Sequence, residues 1–430
     1  MESVIHFPTN PQALFEQAVA ARRKNDFAAV AALERFLPSP LAPDWLPLAD
    51  EISFALGHLR RHQPAIALLL AAWEIQPTQR RASCLAYLHY DALFALKTDR
   101  RAPADARERL RNGFRLWIGR ALELNPSSVK DLYRLGEYEA QLESMHDKPA
   151  LRAFLGAVEA WRALPAELRA SRGDLRKYLV KALYAGARSV LRLGQLPLAR
   201  RMSFDAIRED EKTDFLEPVH KLSLAGKVCL ATGELVHAER ALRLSLDAKG
   251  PPRRDWIFGL LAECCQRRGD HAAGCAWIEA HVPAPRRAPF LWRLLGDLKR
   301  AAGDAQAAFN CYEASLQRDR MGRHLTLQRI GELARERGDL KRAERAFAEA
   351  ADFKRRHFNS DDGRSLGELA EVLELRGRPE RAAEARDRGQ RAERVEGRGK
   401  NWKHNRNQRR NRAAREAAAR AEAKKAGGER

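Results

Sequence analysis

Glycine recurs at intervals of 34 to 39 residues through the second half of the chain, and this spacing limits the possible folds more than any other feature. A repeat of about 34 residues holds one helix, a tight turn and a second helix. Because a positive φ costs glycine least, we expect each recurring glycine to lie in the turn. The recurring glycines are Gly194, Gly233, Gly269, Gly303, Gly338 and Gly377.

Two further positions repeat when the units are aligned on the glycine alone. The residue seven positions before the glycine is always small, and so is the residue five positions after it. Two helices approach closely only where both carry small side chains, so this register predicts a packed helical hairpin. The small residues before the glycine are Ala187, Gly226, Ala262, Gly296, Gly331 and Ala370, and those after it are Ala199, Ala238, Gly274, Ala308, Ala343 and Ala382.

Larger apolar residues flank the small ones and predict a buried stripe. Of the 430 residues, 45% are hydrophobic, 31% are charged and only 7% are aromatic, which favours closely packed helices over a sheet. We therefore predict an all-α protein. The position nine residues after the glycine holds Leu242, Ile278, Tyr312 and Phe347, with Ser203 and Arg386 in the first and last units.

The aligned units resemble the tetratricopeptide repeat family, whose pattern is an aromatic residue, Leu-Gly, Gly-Asp or Gly-Asn, and then a spaced Ala, aromatic and Ala. The fourth unit matches it with Trp292, Leu295-Gly296, Gly303-Asp304, Ala308, Tyr312 and Ser315. The resemblance implies a right-handed α-solenoid of stacked helix-turn-helix hairpins. We expect divergent hairpins in residues 1–128, the repeat array in residues 129–393, and a basic low-complexity tail, disordered or partly helical, in residues 394–430.

The register is looser upstream but still indicates hairpins. Gly136 is followed, after a turn two residues longer than usual, by the spaced Ala150, Phe154 and Ala157. Residues 11–37 and 51–76 also have the pattern of helical pairs, with breaks expected at residues 24–26 and 62–64. We interpret this part as a divergent continuation of the array.

The resemblance also implies that the first helix of each unit lines a concave groove, where extended peptides or partner helices bind. Because this groove is basic at one end, we expect the partner to be a protein or peptide ligand with an acidic segment or a C-terminal carboxylate. The alternative is that several of these side chains are solvated charges or form ion pairs within helices. The candidate groove residues are Lys181, Tyr184, Arg188, His220, Lys227, Trp256, Arg293 and Arg300.

The C-terminal segment carries a large part of the net charge of +21. Residues 398–430 contain 12 Lys or Arg and 3 Glu, a net charge of +9. Cations neutralise phosphates and Trp402 can stack on an unpaired base, so RNA or the ribosome is a candidate partner. A solubilising tail or a nonspecific polyanion contact is the alternative. The candidate tail residues are Lys400, Trp402, Lys403, Arg406, Arg409, Arg410 and Arg412.

Catalytic motifs are absent from the sequence: it has no phosphate loop, no dinucleotide fingerprint and no nucleophile elbow. The nearest approach to a metal site is Cys264, Cys265, His271, Cys275 and His281, whose irregular spacing favours core packing. We expect no cofactor and no metal. The lack of a disulfide framework, a secretion signal and a membrane span favours the cytoplasm.

These observations lead to two hypotheses. The first is a non-enzymatic scaffold or adaptor that holds a protein partner in its groove, with the tail contacting RNA or another polyanion. The second is an RNA-binding or ribosome-associated factor that uses the solenoid as a platform. An enzyme with an unrecognised site ranks far below both.

Overall fold

The computed structural model describes residues 10–96, 103–142, 147–211 and 213–394. All regular secondary structure in these ranges is helical. The described helices form two compact units that divide after Pro251. We call them unit 1 and unit 2.

Unit 1 consists of helical hairpins in which each helix packs on the next along the chain. The short α9 is the exception, because α8 packs directly on α10. The helices are α1 (Pro11–Arg23), α2 (Phe27–Ala32), α3 (Leu46–His58), α4 (His62–Ile75), α5 (Gln79–Ala95), α6 (Ala104–Leu124), α7 (Val129–Gln141), α8 (Asp147–Ala163), α9 (Ala166–Ser171), α10 (Gly173–Arg192), α11 (Leu196–Glu209), α12 (Pro218–Thr232) and α13 (Leu235–Asp247).

Unit 2 repeats the same arrangement with shorter connections. Its helices are α14 (Asp255–Arg267), α15 (His271–His281), α16 (Pro289–Ala301), α17 (Ala305–Arg318), α18 (Arg323–Glu336), α19 (Leu340–Phe358) and α20 (Gly363–Leu375), followed by helical residues 379–394. Each hairpin packs on the one that follows it. The prediction of an all-α, tetratricopeptide-like solenoid of stacked hairpins is confirmed in each unit.

The recurring glycines lie in the turns between the two helices of their hairpins. All six have positive φ, from 68° at Gly377 to 86° at Gly303. A Cβ placed on any of these six glycines would meet no atom within 4 Å, so the backbone conformation alone requires glycine there. The six turns are confirmed.

The twelve small residues predicted at the helix crossings are all buried. At three crossings the large residue of the second helix packs directly on a glycine of the first. A Cβ on Gly296 would lie 2.4 Å from Cε1 of Tyr312, and a Cβ on Gly331 would lie 2.8 Å from Cε1 of Phe347. The small and large positions are therefore complementary halves of one contact.

The hairpin register extends into the N-terminal part with other residues in the turns. Asn25 and Arg60, which are 35 residues apart, have φ of 58° and 61° and occupy the same left-handed position as the glycines. The second turn therefore lies at residues 59–61, earlier than the predicted break at residues 62–64. Pro64 lies in the first turn of α4, where its missing N–H is tolerated.

Buried carboxylates join successive hairpins in unit 1. Asp131 at the start of α7 is fully buried and accepts hydrogen bonds from Ser83 and Gln79 of α5, both at 2.6 Å. Asp210 after α11 accepts from the Lys221 ammonium of α12 at 2.6 Å. These bonds fix how one hairpin sits on the next. No helix in the described ranges combines the length and apolar character needed to cross a membrane.

Candidate functional site

The three candidate groove residues of α10 lie together on one helix face. Lys181 and Tyr184 are half-buried and Arg188 is exposed. The guanidinium carbon of Arg188 lies 5.8 Å from the centre of the Tyr184 ring, a cation–π distance. Neither Lys181 nor Arg188 forms an ion pair with a carboxylate of the described residues. Both cations are therefore available to a ligand.

Four more tyrosines surround this group on the first helices of three successive hairpins. The Tyr133 and Tyr178 ring centres are 5.7 Å apart, and the Arg134 guanidinium lies 4.7 Å from the centre of the Tyr87 ring. We call the surface formed by these side chains the tyrosine face. It consists of Tyr87 and Tyr90 on α5, Tyr133 on α7, and Tyr178 and Tyr184 on α10.

The hydroxyl groups of the tyrosine face make no hydrogen bond to any residue that the structure describes. The backbone groups of these five tyrosines bond within the helices, but no hydroxyl of the five has a donor or acceptor partner in the described ranges. Tyr312 of unit 2 differs, because its hydroxyl donates to Asp297 at 2.7 Å. An amphipathic ring with an open hydroxyl is the side chain most suited to partner recognition.

Positive charge surrounds the tyrosines and is poorly compensated. Burial lowers the pKa of Lys181, and the neighbouring Lys177 lowers it further, while Glu137 has the opposite effect. Burial also lowers the pKa of Lys130 on α7, and the adjacent Arg134 acts in the same direction. Half-buried ammonium groups that repel one another gain free energy when a carboxylate approaches. The tyrosine face therefore favours an anionic ligand.

The candidate residues of α12 extend the first-helix positions of unit 1 by one hairpin. Lys227 is exposed and, within the chain as described, has no carboxylate partner. The Nε2 atom of His220 lies 3.3 Å from a carboxylate oxygen of Glu217 on the same helix. Lys227 is thus an open cation, whereas His220 already has an acidic neighbour.

The candidate residues of unit 2 are in a different situation. Arg293 donates to Asp319 and lies 3.4 Å from the hydroxyl of Thr326. Arg300 donates to Glu332 at 2.9 Å and through Nε to Glu336 at 2.9 Å. Trp256 is partly buried on α14. The two arginines are therefore engaged inside unit 2, and their ion pairs join different helices, not residues of one helix as the alternative expected.

The Arg300 contacts belong to a wider network on α16, α18 and α20. Glu332 is 9% exposed and receives Arg300 at 2.9 Å and Arg364 at 2.8 Å. Arg335 lies 2.7 Å from Glu368. We call this surface the ion-pair face. It consists of Asp297, Arg300, Arg329, Glu332, Arg335, Glu336, Arg364, Glu368 and Glu371.

Sequence reasoning missed four of the five tyrosines because the alignment was anchored on turn glycines. One repeated pair would have found part of the surface. Lys130 and Tyr133 lie six and three residues before the small Gly136, and Lys181 and Tyr184 lie six and three before Ala187. The same Lys-x-x-Tyr spacing therefore recurs at equivalent positions of two hairpins.

The cysteine and histidine group shows no metal-site geometry. Cys264, Cys265 and Cys275 are buried, and His281 stacks on the Phe258 ring at 4.6 Å. Among residues 10–394 as described, no group of three or more His, Cys, Asp or Glu side chains is placed to hold a metal ion. Burial raises the pKa of Cys311 to about 11, so that thiol is unreactive. The candidate tail residues lie outside the described residues.

Comparisons with known proteins add a set of distant structural neighbours. No protein-family model matches the sequence, and no curated protein matches it. A tetratricopeptide repeat protein from Parabacteroides merdae is 15% identical over 67% of this chain and 97% of its own, with a TM-score of 0.42. Cut9, solved with Hcn1, is 15% identical over 89% and 87%, with a TM-score of 0.39. Human IFIT1, solved as a dimer with PPP-AAAA, is 15% identical over 87% and 81%, with a TM-score of 0.39.

Proposed function

We propose that the protein is a non-enzymatic scaffold that binds an acidic, extended segment of a partner protein on the tyrosine face. One observation carries this proposal: in the described chain, five tyrosine hydroxyls without hydrogen-bond partners lie among cations that form no ion pair, namely Lys130, Lys177, Lys181 and Arg188. A surface that had evolved only for stability would pair these groups, as the ion-pair face does. The stacked hairpins supply the rigid support that such a surface requires.

The chemistry of the partner follows from the charges on the face. Lys130, Lys177, Lys181 and Arg188 are positive, and Asp131 and Glu137 are acidic neighbours that offset part of this charge. Carboxylates of a bound segment would accept charge-assisted hydrogen bonds from these cations and from the tyrosine hydroxyls. The tyrosine rings would cover the apolar parts of the segment.

The tail has a separate part in the proposal. Its net charge of +9 would hold RNA or another polyanion, and the linkage of two weak sites would raise the affinity for an assembly that carries both ligands. The proposed setting is the cytoplasm. None of the six cysteines forms a disulfide, which agrees with a reducing compartment.

Charge reversal tests the face directly. Arg188→Glu with Lys227→Glu should weaken binding of a fluorescent pool of Asp- and Glu-rich peptides to the full chain by about tenfold or more. Arg201→Glu with Arg240→Glu is the matched control, because both residues are exposed on second helices of unit 1. It changes the net charge equally and should leave binding within about twofold. Equal losses in the two double variants would reduce the effect to net charge and contradict the proposal.

A second candidate function is favoured by the same tyrosines. Tyrosine and arginine faces also stack on unpaired bases, so the tyrosine face and the tail could together hold single-stranded RNA on a ribosome-associated factor. Uridine homopolymer binding to the full chain and to a chain ending at Gly397 separates the roles. Loss of RNA with the tail alone supports the adaptor. RNA retention that instead depends on Tyr133 and Tyr184 would favour the RNA-binding factor.

A further inference from the structure

A pocket of about 120 Å³ opens between α3 and α5 at one end of the tyrosine face. Tyr87 belongs both to the pocket and to the tyrosine face. It lines the pocket, and the Arg134 guanidinium lies over its ring. The pocket lies on the first helices of two successive hairpins, as the tyrosine face does. A ligand that follows the tyrosine face therefore reaches the pocket without leaving unit 1.

The walls of the pocket are mainly apolar. Phe54 of α3, Leu69 of α4 and Leu88 of α5 contribute side chains, and Gly57 lies between them. A Cβ on Gly57 would lie 2.8 Å from Cδ2 of Leu88, so glycine keeps the two helices close at this point. Engineered apolar cavities of about 150 Å³ hold one benzene ring. This pocket is smaller but open on one side, so it has room for one aromatic ring that protrudes in part, and for no larger group.

The charged groups in the wall are already neutralised. Asp50 receives the Arg81 guanidinium at 2.9 and 3.1 Å. Asp91 receives Arg60 at 2.6 Å and lies 2.8 Å from Nε2 of His62. An entering ion would meet no unpaired countercharge here. The pocket therefore selects a neutral side chain.

A fully buried polar group in the pocket has no partner among the described residues. Ser53 lines the pocket, is 0% exposed, and its Oγ makes no hydrogen bond. A buried hydroxyl that leaves its hydrogen bond unmade is unfavourable, and a ligand that supplies the missing partner recovers that free energy. The occupant should thus combine an aromatic ring with a hydroxyl group.

We propose that the pocket binds the tyrosine side chain of an acidic protein segment that lies on the tyrosine face. This inference rests on the proposed function and names the residue that anchors the partner. The phenol ring packs between Phe54 and Leu88, its hydroxyl bonds Ser53, and the acidic flanking residues extend toward Lys130 and Lys181. Tyrosine in the partner gives the specificity, and the cations give the general attraction.

Three fluorescent peptide pools test the anchor. Each pool has randomised Asp- and Glu-rich flanks around a fixed central Tyr, Phe or Ala. The full chain should bind the Tyr pool about tenfold more tightly than the Ala pool, with the Phe pool between them. Cys84→Trp fills the pocket and should reduce Tyr-pool binding to the level of the Ala pool. Ser53→Ala removes only the hydroxyl and should make the Tyr and Phe pools equal.

Alkylation of Cys84 gives a readout that needs no variant. Cys84 lines the pocket and is half-buried, whereas the other five cysteines are buried. The Tyr pool should slow its reaction with iodoacetamide, and the Ala pool should not. If all three pools bind equally, and Arg188→Glu with Lys227→Glu still weakens that binding, the tyrosine anchor is wrong but the proposed function stands. If free 4-methylphenol protects Cys84 from iodoacetamide but the full chain shows no preference among the three pools, the tyrosine anchor is also wrong. Failure of every pool to bind would remove both.

Discussion

The tyrosine face of unit 1 and the ion-pair face of unit 2 occupy equivalent first helices but treat their polar groups in opposite ways. Arg188, beside Tyr184, and Glu332 each lie six residues before the turn glycine of their hairpin. Arg188 has no carboxylate partner in the described chain, whereas Glu332 receives Arg300 and Arg364. The same hairpin framework thus carries one surface whose charged groups pair with one another and a second surface whose polar groups remain available to a ligand.

The contrast shows which part of a helical-hairpin array can vary in sequence without changing the fold. Burial of the small and large residues at the crossings fixes the helices, and the first-helix surface is then free to vary. Cross-helix ion pairs strengthen the stack, while unpaired groups retain hydrogen-bonding capacity for a ligand. Four predictions test this distinction.

Acidification should separate the two faces most strongly. Burial opposes ionisation of Glu332, but Arg300, Arg329 and Arg364 outweigh it and lower its pKa. The folded state therefore binds this proton more weakly than the unfolded state. The stabilisation is present above the ordinary carboxyl pKa of about 4 and is lost as the pH falls through the lowered value.

Hydrogen exchange at each helix measures this loss. Below about pH 4, amides of α16 and α18 should lose protection by about tenfold before those of α10, because the tyrosines and lysines of α10 keep their protons. Simultaneous loss in all three helices would show that the ion-pair face contributes no local stability.

Removal of the central carboxylate should have the next largest effect. Glu332→Ala leaves Arg300 and Arg364 without their shared partner and should lower the free energy of unfolding by about 2 kcal/mol in urea titrations. Glu313→Ala is the matched control, because Glu313 pairs with Arg342 at 2.9 Å on the exposed surface. Its expected cost is below about 0.5 kcal/mol. Equal costs would contradict the central role of Glu332.

Lysine removal should change stability in opposite directions in the two units. Lys181→Met removes a half-buried charge that Lys177 repels and should raise the free energy of unfolding by about 0.5 kcal/mol. Lys299→Met removes an ammonium 3.1 Å from Glu279 and should lower it by a similar amount. Lys181→Met should nevertheless weaken binding of the acidic peptide pool. A destabilised Lys181→Met protein would mean that unit 1 depends on that charge.

The turns should give the smallest difference. Asn25 in the first turn of unit 1 has φ of 58°, a conformation that glycine adopts more readily. Asn25→Gly should raise the melting temperature slightly, with a gain of about 0.3 kcal/mol. Gly338→Asn in unit 2 should lower it by a comparable amount. Changes of the same sign in both variants would show that the two turns are not equivalent.

Much of the fold could be predicted because its determinants are local and repeated. Gly303, Gly296 and Tyr312 each have counterparts at fixed offsets in the other repeats, and the structure places all of these in one type of hairpin. The first two hairpins lacked this signal because Asn25 and Arg60 replace the turn glycine. A search for the left-handed position, not for glycine, would have included them.

The candidate site was harder to predict because its character depends on neighbours that are distant in sequence. Arg300 and Lys181 are both cations on first helices, but Arg300 finds Glu332 on the next hairpin while Lys181 finds Lys177. Only the packed structure shows which cations are already paired. The pocket has the same origin, since Ser53 and Tyr87 come from separate hairpins.

The open surroundings of the turn glycines also provide positions where a probe can be attached. A side chain at Gly194, Gly269 or Gly338 would touch nothing, so a short insertion that relieves the positive φ could carry a fluorophore there without entering either first-helix face. Successive turns are one repeat apart along the chain. The distance between dyes on neighbouring turns would therefore report, hairpin by hairpin, how the array bends or stretches when a partner binds.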